Sequence, residues 1–554
     1  MKSKTKILII IPRYNITNDI NYNYLFPLGL SYISAVLKST GYHVDCLNLN
    51  HCEGYVENII DKSLCKQKYD YVCTGNVSLG YAITEKIINA VRAHESHPKI
   101  VLGGIIITSE PELIFKSLNP DFAVIGEGEE TILELLEYLE HGGNLEEVKG
   151  VGYLDKYGNI IFTKQRETIK DLDALPMPDF EGFGFGDKLD HQHSNDYYFN
   201  NLFDLPRTYS LLGSRGCPFQ CTFCYHYNRY VARTIDGIME ELNIMVRRYK
   251  INNICIYDEC FSINKERLYE YCRRIKLLRE QLPWDLKWTC QMTVKSVDKE
   301  SLRIMKEAGC NSISYGFESY SPIVLKSMRK PITPQLIDRE FRETLDVGIA
   351  IQANFIFGDI AETPETAKQT LDYWKKNCKG QVNLDFIQPY PGSELYNHCL
   401  KKGIIKDKLD FIKNNMGGFY FNMTDKMTDE EFKQLKNDIS KAQSEYRESV
   451  RPISIKKEGK NIYSIEVKCP YCKKVNMYKN CFINNKLIFE FNLVCRSCPM
   501  RFDVMSPIQK IIYAKLSKTK DILLFYIKLR DYIRKKGGLN PKKWTSSIIT
   551  LKNK

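Results

Sequence analysis

The chain has 554 residues and a mass of 64.5 kDa, with 43% hydrophobic and 26% charged residues. That balance excludes a wholly disordered or fibrous chain, and the length suits three or four domains at ~150 residues each. Net charge is +12, but Arg501 to Lys554 alone carries 14 Lys and Arg against three Asp, so a body that grips nucleic acid throughout is excluded.

The N-terminal apolar run, Ile7 to Ile11, stops at Pro12-Arg13. It is too short for a secretory segment, and no run approaches the ~20 residues of a membrane span. A first buried strand and a cytoplasmic location are expected. Nineteen cysteines, an odd number, accompany no export signal, so metal or cluster ligation is expected ahead of a disulfide framework.

In chain order, strands are predicted at Lys6–Ile11, His43–Leu49, Tyr71–Thr74, Lys99–Leu102 and Phe122–Ile125. Helices are predicted at Pro27–Ser39, Ala82–His94, Pro111–Ser117 and from Thr131. This alternation reads as a doubly wound parallel sheet over 1–145. Ser78, Gly103, Gly104 and Gly126 fall beyond the strands' carboxyl ends, where ligands bind such sheets; the glycines also suit tight turns. Residues 146–205 read as a connector with a hairpin over Val151–Phe162. Alternation resumes over 206–400, with strands near Ser210, Ile254, Lys287, Ser312, Ile351 and Leu384, and six such units suit a (β/α)6-type partial barrel. Residues 401–460 read as a helical extension, 461–505 as a small cysteine module and 506–554 as a basic helical tail.

The strongest motif is Cys217-Pro-Phe-Gln-Cys221-Thr-Phe-Cys224. Three thiolates at this spacing on one loop can hold three irons of a [4Fe–4S] cube and leave the fourth open to substrate. Chance predicts ~0.02 such occurrences at this cysteine content. Zinc with His226 as fourth ligand is the competing reading. Further along, Cys469-Pro-Tyr-Cys472 and Cys495-Arg-Ser-Cys498 flank two strand-like segments, Phe482–Ile488 and Phe489–Val494. Two Cys-x-x-Cys pairs in that arrangement read as a zinc ribbon, with an auxiliary Fe–S cluster as the alternative. Cys481 and the dispersed cysteines read as small buried hydrophobes, Cys260 and Cys290 being weak site candidates.

The Cys217–Cys224 triplet, with Phe223 before its last cysteine, resembles the cluster loop of the radical S-adenosylmethionine (SAM) superfamily. Ile256–Phe261, Ser314–Ser319, Phe355–Asp359 and Gln388–Tyr396 follow in the order and spacing of its cobalamin-binding branch, which includes the anaerobic magnesium-protoporphyrin monomethyl ester cyclase. Val101–Thr108 and Val124–Thr131 resemble turns of that branch's Rossmann-like cobalamin domain. The resemblance spans roughly residues 5–400.

The resemblance implies that Cys217, Cys221 and Cys224 ligate the cluster, and that Phe223 lies against the SAM adenine. Asp258 and Glu259 would accept the methionine ammonium, although a solvated turn is the bland alternative. Glu318 and Ser319 would contact ribose and methionine, and Gly358 would admit the adenine. Ile360-Ala361-Glu362-Thr363 replaces the branch's frequent Pro-Gly-Glu-Thr turn. Ser78, Gly103, Gly104 and Gly126 would face cobalamin. The loop Pro12–Ile16 contains no histidine, so no axial imidazole is expected from it; loss of cobalamin is the alternative.

Together these readings imply a radical SAM enzyme that cleaves SAM to a 5′-deoxyadenosyl radical, with cobalamin-dependent methylation of an unactivated carbon. Radical cyclisation or rearrangement without methyl transfer is the alternative. Another is a module whose ribbon and basic tail recruit a peptide or nucleic acid. No catalytic side chain is assigned. The implied cofactors are a [4Fe–4S] cluster, SAM, cobalamin and zinc. The implied partners are a small-molecule or peptide substrate and a one-electron donor such as flavodoxin or ferredoxin, with no membrane span and no nucleic acid expected.

Overall fold

The computed structural model describes residues 4–14, 17–196, 202–227, 229–261, 263–417 and 421–510. The chain forms two compact units. The first comprises residues 1–192, 206–370 and 385–427, and the second 193–205, 371–384 and 428–554.

The first unit begins with strands β1 (Lys6–Ile11), β2 (His43–Asn48), β3 (Tyr71–Gly75), β4 (Lys99–Gly103) and β5 (Phe122–Val124). They run parallel in the order β2-β1-β3-β4-β5. Ile7, Ile9, Ile10 and Ile11 are wholly buried, as expected of a strand covered on both faces. The hairpin β6 (Val151–Leu154) and β7 (Ile160–Phe162) adds antiparallel to β5 and extends the same sheet. Helices α1 (Leu28–Ser39), α2 (Val56–Leu64), α3 (Tyr81–Ala93), α4 (Ile105–Ser109), α5 (Pro111–Leu118) and α6 (Glu129–His141) connect the strands. The order reverses between β1 and β3, which puts the binding crevice at the loops after β1, β3 and β4.

A second sheet of the first unit is built from β8 (Thr208–Leu211), β11 (Asn253–Ile256), β12 (Lys287–Met292), β13 (Cys310–Glu318) and β14 (Ala350–Phe357), while β15 (Val382–Phe386) falls across the division of the chain at residue 384. Within the first unit its order, β14-β13-β12-β11-β8, follows the chain. The pairings from β8 to β14 are all parallel. Between β8 and β11, the short ribbon of β9 (Ser214–Arg215) and β10 (Val231–Ala232) brackets the Cys217–Cys224 loop. One apolar core runs through the first sheet domain and the end of the second: Leu8, Val72, Ile100, Val324, Met328, Leu395 and Tyr396 belong to it.

In the second unit, the helix Asp429–Tyr446 starts with a capping box between Thr428 and Glu431. Helix gives way there, short of the expected residue 460, because Arg447 turns extended and Pro452 cannot continue a helix. Two small sheets follow. One pairs β17 (Ser454–Gly459), β18 (Ile462–Lys468) and β19 (Val475–Phe482), and the other pairs β16 (Ser449–Val450) with β21 (Arg501–Met505) and β20 (Glu490–Val494). Of the expected strand at 482–488, Phe482 closes β19 and residues 483–488 form a turn instead. Asn485 accepts from the Leu487 N–H through its side chain and from the Ile488 N–H through its carbonyl, which closes the chain back towards β20. The expected basic helical tail lies, beyond residue 510, outside the described residues.

Candidate functional site

The loop after β9 carries Cys217, Cys221 and Cys224. Burial pushes all three thiols up, Cys224 to about 12, so their thiolates need positive charge beside them. A metal cluster supplies that charge, and so does Lys330. Burial opposes the Lys330 charge, but Glu318, Cys221 and Cys224 more than offset this and raise its pKa. Lys330 Nζ donates to Glu318 Oε1 at 2.8 Å in a pair whose side chains are 16% and 9% exposed. Glu318 ends β13 in the left-handed region, at φ 59°. A non-glycine residue held there marks strain, which gathers at functional sites. The donor set therefore fits an iron–sulfur cube with one open iron. His226 cannot complete a zinc site through Nε2, because that nitrogen donates to the Cys221 carbonyl at 2.9 Å.

The other expected SAM contacts divide into open and committed groups. Among the described residues Glu259 has no hydrogen-bond partner, and its carboxyl is pushed up by burial while His226 opposes the shift. It lies close enough to Cys217 to raise that thiol further. Asp258 is committed: it accepts the Gly213 N–H at 2.6 Å and the Ser214 hydroxyl at 2.7 Å. Burial pushes it up to about 7, against those bonds and Arg267. Its observed task is to hold the turn entering the cluster loop. Ser319 is similarly engaged, with Oγ 3.1 Å from Thr370 Oγ1 and accepting the Ser321 N–H. Phe223 is half-buried against the shared apolar core.

Gly358, just beyond β14, donates its N–H to Glu362 Oε2 at 2.5 Å. Burial pushes Glu362 up to about 8, and its Oε1 has no hydrogen-bond partner. Asp359 accepts from the Ala361 N–H, so acidic side chains shape this turn without the Pro-Gly pair.

The loops at the carboxyl edge of the first sheet present Tyr14, Val77, Leu79 and Ile105, each between 42% and 52% exposed. Large apolar side chains grouped at such an edge suit a broad, flat ligand such as a corrin ring. Gly104 has φ 88°, and a Cβ there would stand 2.7 Å from the Asn76 carbonyl oxygen. Gly103 ends β4 opposite Gly75. Ser78 is buried, with Oγ 3.3 Å from Ser109 Oγ. Gly126 takes Thr108 Oγ1 on its N–H, and a Cβ there would overlap the Tyr227 hydroxyl.

After β1, buried Arg13 donates to the carbonyls of Leu49, Cys52 and Gly54, which pins this loop without a histidine. His51, after β2, is bonded to Tyr24 through Nε2, and burial lowers it to about 4. The site thus gains Lys330, Tyr227 and Glu362, which lie outside the expected set of site residues. Nothing in the sequence around Lys330 pointed to its pairing with Glu318.

Two further groups could hold metal ions. Sγ atoms of Cys469, Cys472, Cys495 and Cys498 all lie within 4.8 Å of one another. Each Cys-x-x-Cys forms the tip of a hairpin, one between β18 and β19, the other between β20 and β21. The Tyr471 and Ser497 N–H groups donate to Cys469 and Cys495 sulfur. Asp61, Cys65 and His94 also lie together. There His94 Nδ1 accepts the Ser96 N–H and lies 2.8 Å from Ser96 Oγ, while Nε2 faces Cys65 and Asp61.

No helix among the described residues is long and apolar enough to cross a membrane. Residues 211–373 match the radical SAM superfamily and residues 21–136 match the B12 binding domain. An uncharacterised methyltransferase of Pyrococcus horikoshii is 27% identical over 68% of this chain and 79% of its own. The anaerobic magnesium-protoporphyrin IX monomethyl ester cyclase of Rubrivivax gelatinosus is 27% identical over 74% of this chain and 72% of its own. Among solved structures, the radical SAM methyltransferase TsrM of Kitasatospora setae, with cobalamin and a [4Fe–4S] cluster bound, shares the fold. Its TM-score is 0.57 at 16% identity, over 72% of this chain and 76% of that one.

Proposed function

We propose that this chain, a radical SAM enzyme that carries a B12-binding domain, methylates an unactivated carbon of a small-molecule or peptide substrate. The observation that carries the reading is the docking of the cysteine loop on the carboxyl-edge loops of the first sheet. Tyr225 of the cysteine loop donates to the Thr108 carbonyl at 3.2 Å, and Tyr227 lies against Gly126. This docking supports a reading in which the two cofactor faces lie side by side. When bound, the cluster and SAM supply a 5′-deoxyadenosyl radical that abstracts hydrogen, and cobalamin supplies the methyl group.

The chain's own residues have defined tasks in this reading. Cys217, Cys221 and Cys224 hold three irons, and Lys330 offsets their charge. Glu259 accepts the methionine ammonium. Glu318, paired with Lys330, faces the ribose. Glu362 orients the Gly358 amide beside the adenine. Asp258 and Ser319 support these groups through the turns they hold. Ser78, Gly103, Gly104 and Gly126 line the cobalamin face, which offers no imidazole from the loop after β1. Electrons come from an external donor such as flavodoxin or ferredoxin. A cytoplasmic setting suits nineteen free cysteines.

In the second unit, we read Cys469, Cys472, Cys495 and Cys498 as a structural zinc site. Sulfurs about 2.3 Å from one tetrahedral zinc stand about 3.8 Å apart. The Cys469–Cys498 and Cys472–Cys495 separations are 3.8 and 3.6 Å. Spacing of this kind suits a single ion.

Anaerobic incubation with SAM, a reductant, cobalamin and candidate substrates, read by mass spectrometry, tests the function. Both 5′-deoxyadenosine and S-adenosylhomocysteine are expected. 5′-Deoxyadenosine without S-adenosylhomocysteine would favour cyclisation or rearrangement, and neither product would overturn the proposal.

A further inference from the structure

The cysteine loop is tied to the B12-binding domain ahead of its cysteines as well as behind them. Arg215 donates to Glu127 Oε1 at 3.0 Å and to Glu129 Oε1 at 2.5 Å. The carboxylates flank Gly128, where the loop after β5 enters α6. Side-chain exposure is 13% for Arg215, 6% for Glu127 and 5% for Glu129. Two carboxylates against one guanidinium leave an excess buried negative charge, which needs other donors. Glu127 Oε2 accepts the Ile169 N–H at 2.6 Å, and Glu129 sits at the N-terminus of α6, where a helix favours an anion. The guanidinium also lies 5.2 Å from the Tyr32 ring centre, on α1. A planar fork can serve both carboxylates and the ring at once, which a lysine cannot.

Behind the cysteines, Tyr225 and Tyr227 meet Thr108 and Gly126 of the same domain. The Thr108 hydroxyl accepts the Gly126 N–H, linking the loops after β4 and β5. Every tie lands on segments that border the expected cobalamin face.

We propose that Arg215, Glu127 and Glu129 form a positioning clamp that fixes the cysteine loop against the cobalamin-binding loops, so that order in one site is transmitted to the other. This rests on the cofactor assignments above. The clamp residues bond to one another and to the chain, and in this role they set the distance and orientation between the two binding loops.

Hydrogen exchange of the full-length protein, before cofactor loading, tests the mechanical part. Glu127→Gln with Glu129→Gln keeps the side-chain shapes and removes the charge. Exchange should rise about tenfold or more in both 104–130 and 211–227, the scale expected when charge-assisted buried bonds are lost. Arg215→Lys should give an intermediate rise in the same two segments. An increase confined to the substituted segment, or no increase, would overturn the clamp. If the double variant does not fold, Glu129→Gln alone serves both measurements.

Electron paramagnetic resonance of protein loaded with cob(II)alamin and reduced cluster tests the transmission. Wild type should show magnetic coupling between the two centres. The double variant should retain both signals with weakened or broadly distributed coupling. Unchanged coupling would overturn the proposal. A wild type that retains neither centre would instead contradict the cofactor assignments, while the exchange measurement still decides the clamp.

Discussion

The protein presents two thiol sites built on opposite plans. Cys217, Cys221 and Cys224 share one loop, beside a buried ion pair and the carboxylate of Glu259. Cys469, Cys472, Cys495 and Cys498 converge from two hairpin tips with their sulfurs within 4.8 Å, and backbone N–H groups serve two of them. In the proposed reading the first set stops one ligand short, with charge around it, and the second offers four sulfurs to one ion. An incomplete ligand set suits chemistry at the metal, whereas a closed tetrahedral set suits stability alone.

Removing each site should therefore have opposite consequences. Replacing Cys217, Cys221 and Cys224 with Ala should abolish cluster absorbance and 5′-deoxyadenosine formation, measured by visible spectroscopy and chromatography. Unfolding transitions should change far less. The pair Cys472→Ser and Cys495→Ser should release the ion, forfeiting on the order of 10 kcal/mol of binding free energy that supports the module. Limited proteolysis should then cut within 461–505, while SAM cleavage persists. Loss of SAM cleavage in this variant would erase the distinction between the sites.

A smaller effect is expected from Lys330→Met. It leaves the Glu318 carboxylate buried and unpaired, at a cost of about 3 kcal/mol or more in denaturant unfolding. It also removes positive charge from beside Cys221 and Cys224, so the cluster's midpoint potential should fall. Lys330→Arg should restore much of the potential.

Glu362 gives the smallest and most specific signal. Its carboxyl titrates near 8 in the folded chain against an ordinary value of 4.5. Between those values the folded chain holds a proton that the unfolded chain releases. Stability should therefore fall as pH rises from about 4.5 to 8, by on the order of a few kcal/mol, and level off above that. Glu362→Gln keeps an acceptor for the Gly358 N–H and should flatten the slope, as thermal melts across this range would show.

The regular elements of the first unit were legible because their signals are local. Runs such as Lys6–Ile11 announce buried strands, and the Cys217–Cys224 spacing announces its chemistry within eight residues. The two Cys-x-x-Cys pairs were legible for the same reason. Contacts between distant segments were not. Asp258 sits at the expected strand end, but whether it faces a ligand or the Gly213 turn depends on a neighbour 45 residues away. Lys330 and Glu318 are brought together by the strand–helix geometry that follows β13, and no periodicity marks them. The turn at 483–488 misled because Ile483, Leu487 and Ile488 mimic a strand, while Asn484-Asn485 between them supplies the side-chain acceptor that closes a turn.

Metal and cofactor analysis of the anaerobically purified, reconstituted full chain tests the distinction between the two thiol sites, and the cofactor set behind the proposed chemistry, most directly. About four irons, about one zinc and bound cobalamin per chain are expected. About eight irons without zinc would make the second site an auxiliary cluster and contradict the division between an open catalytic and a closed structural site.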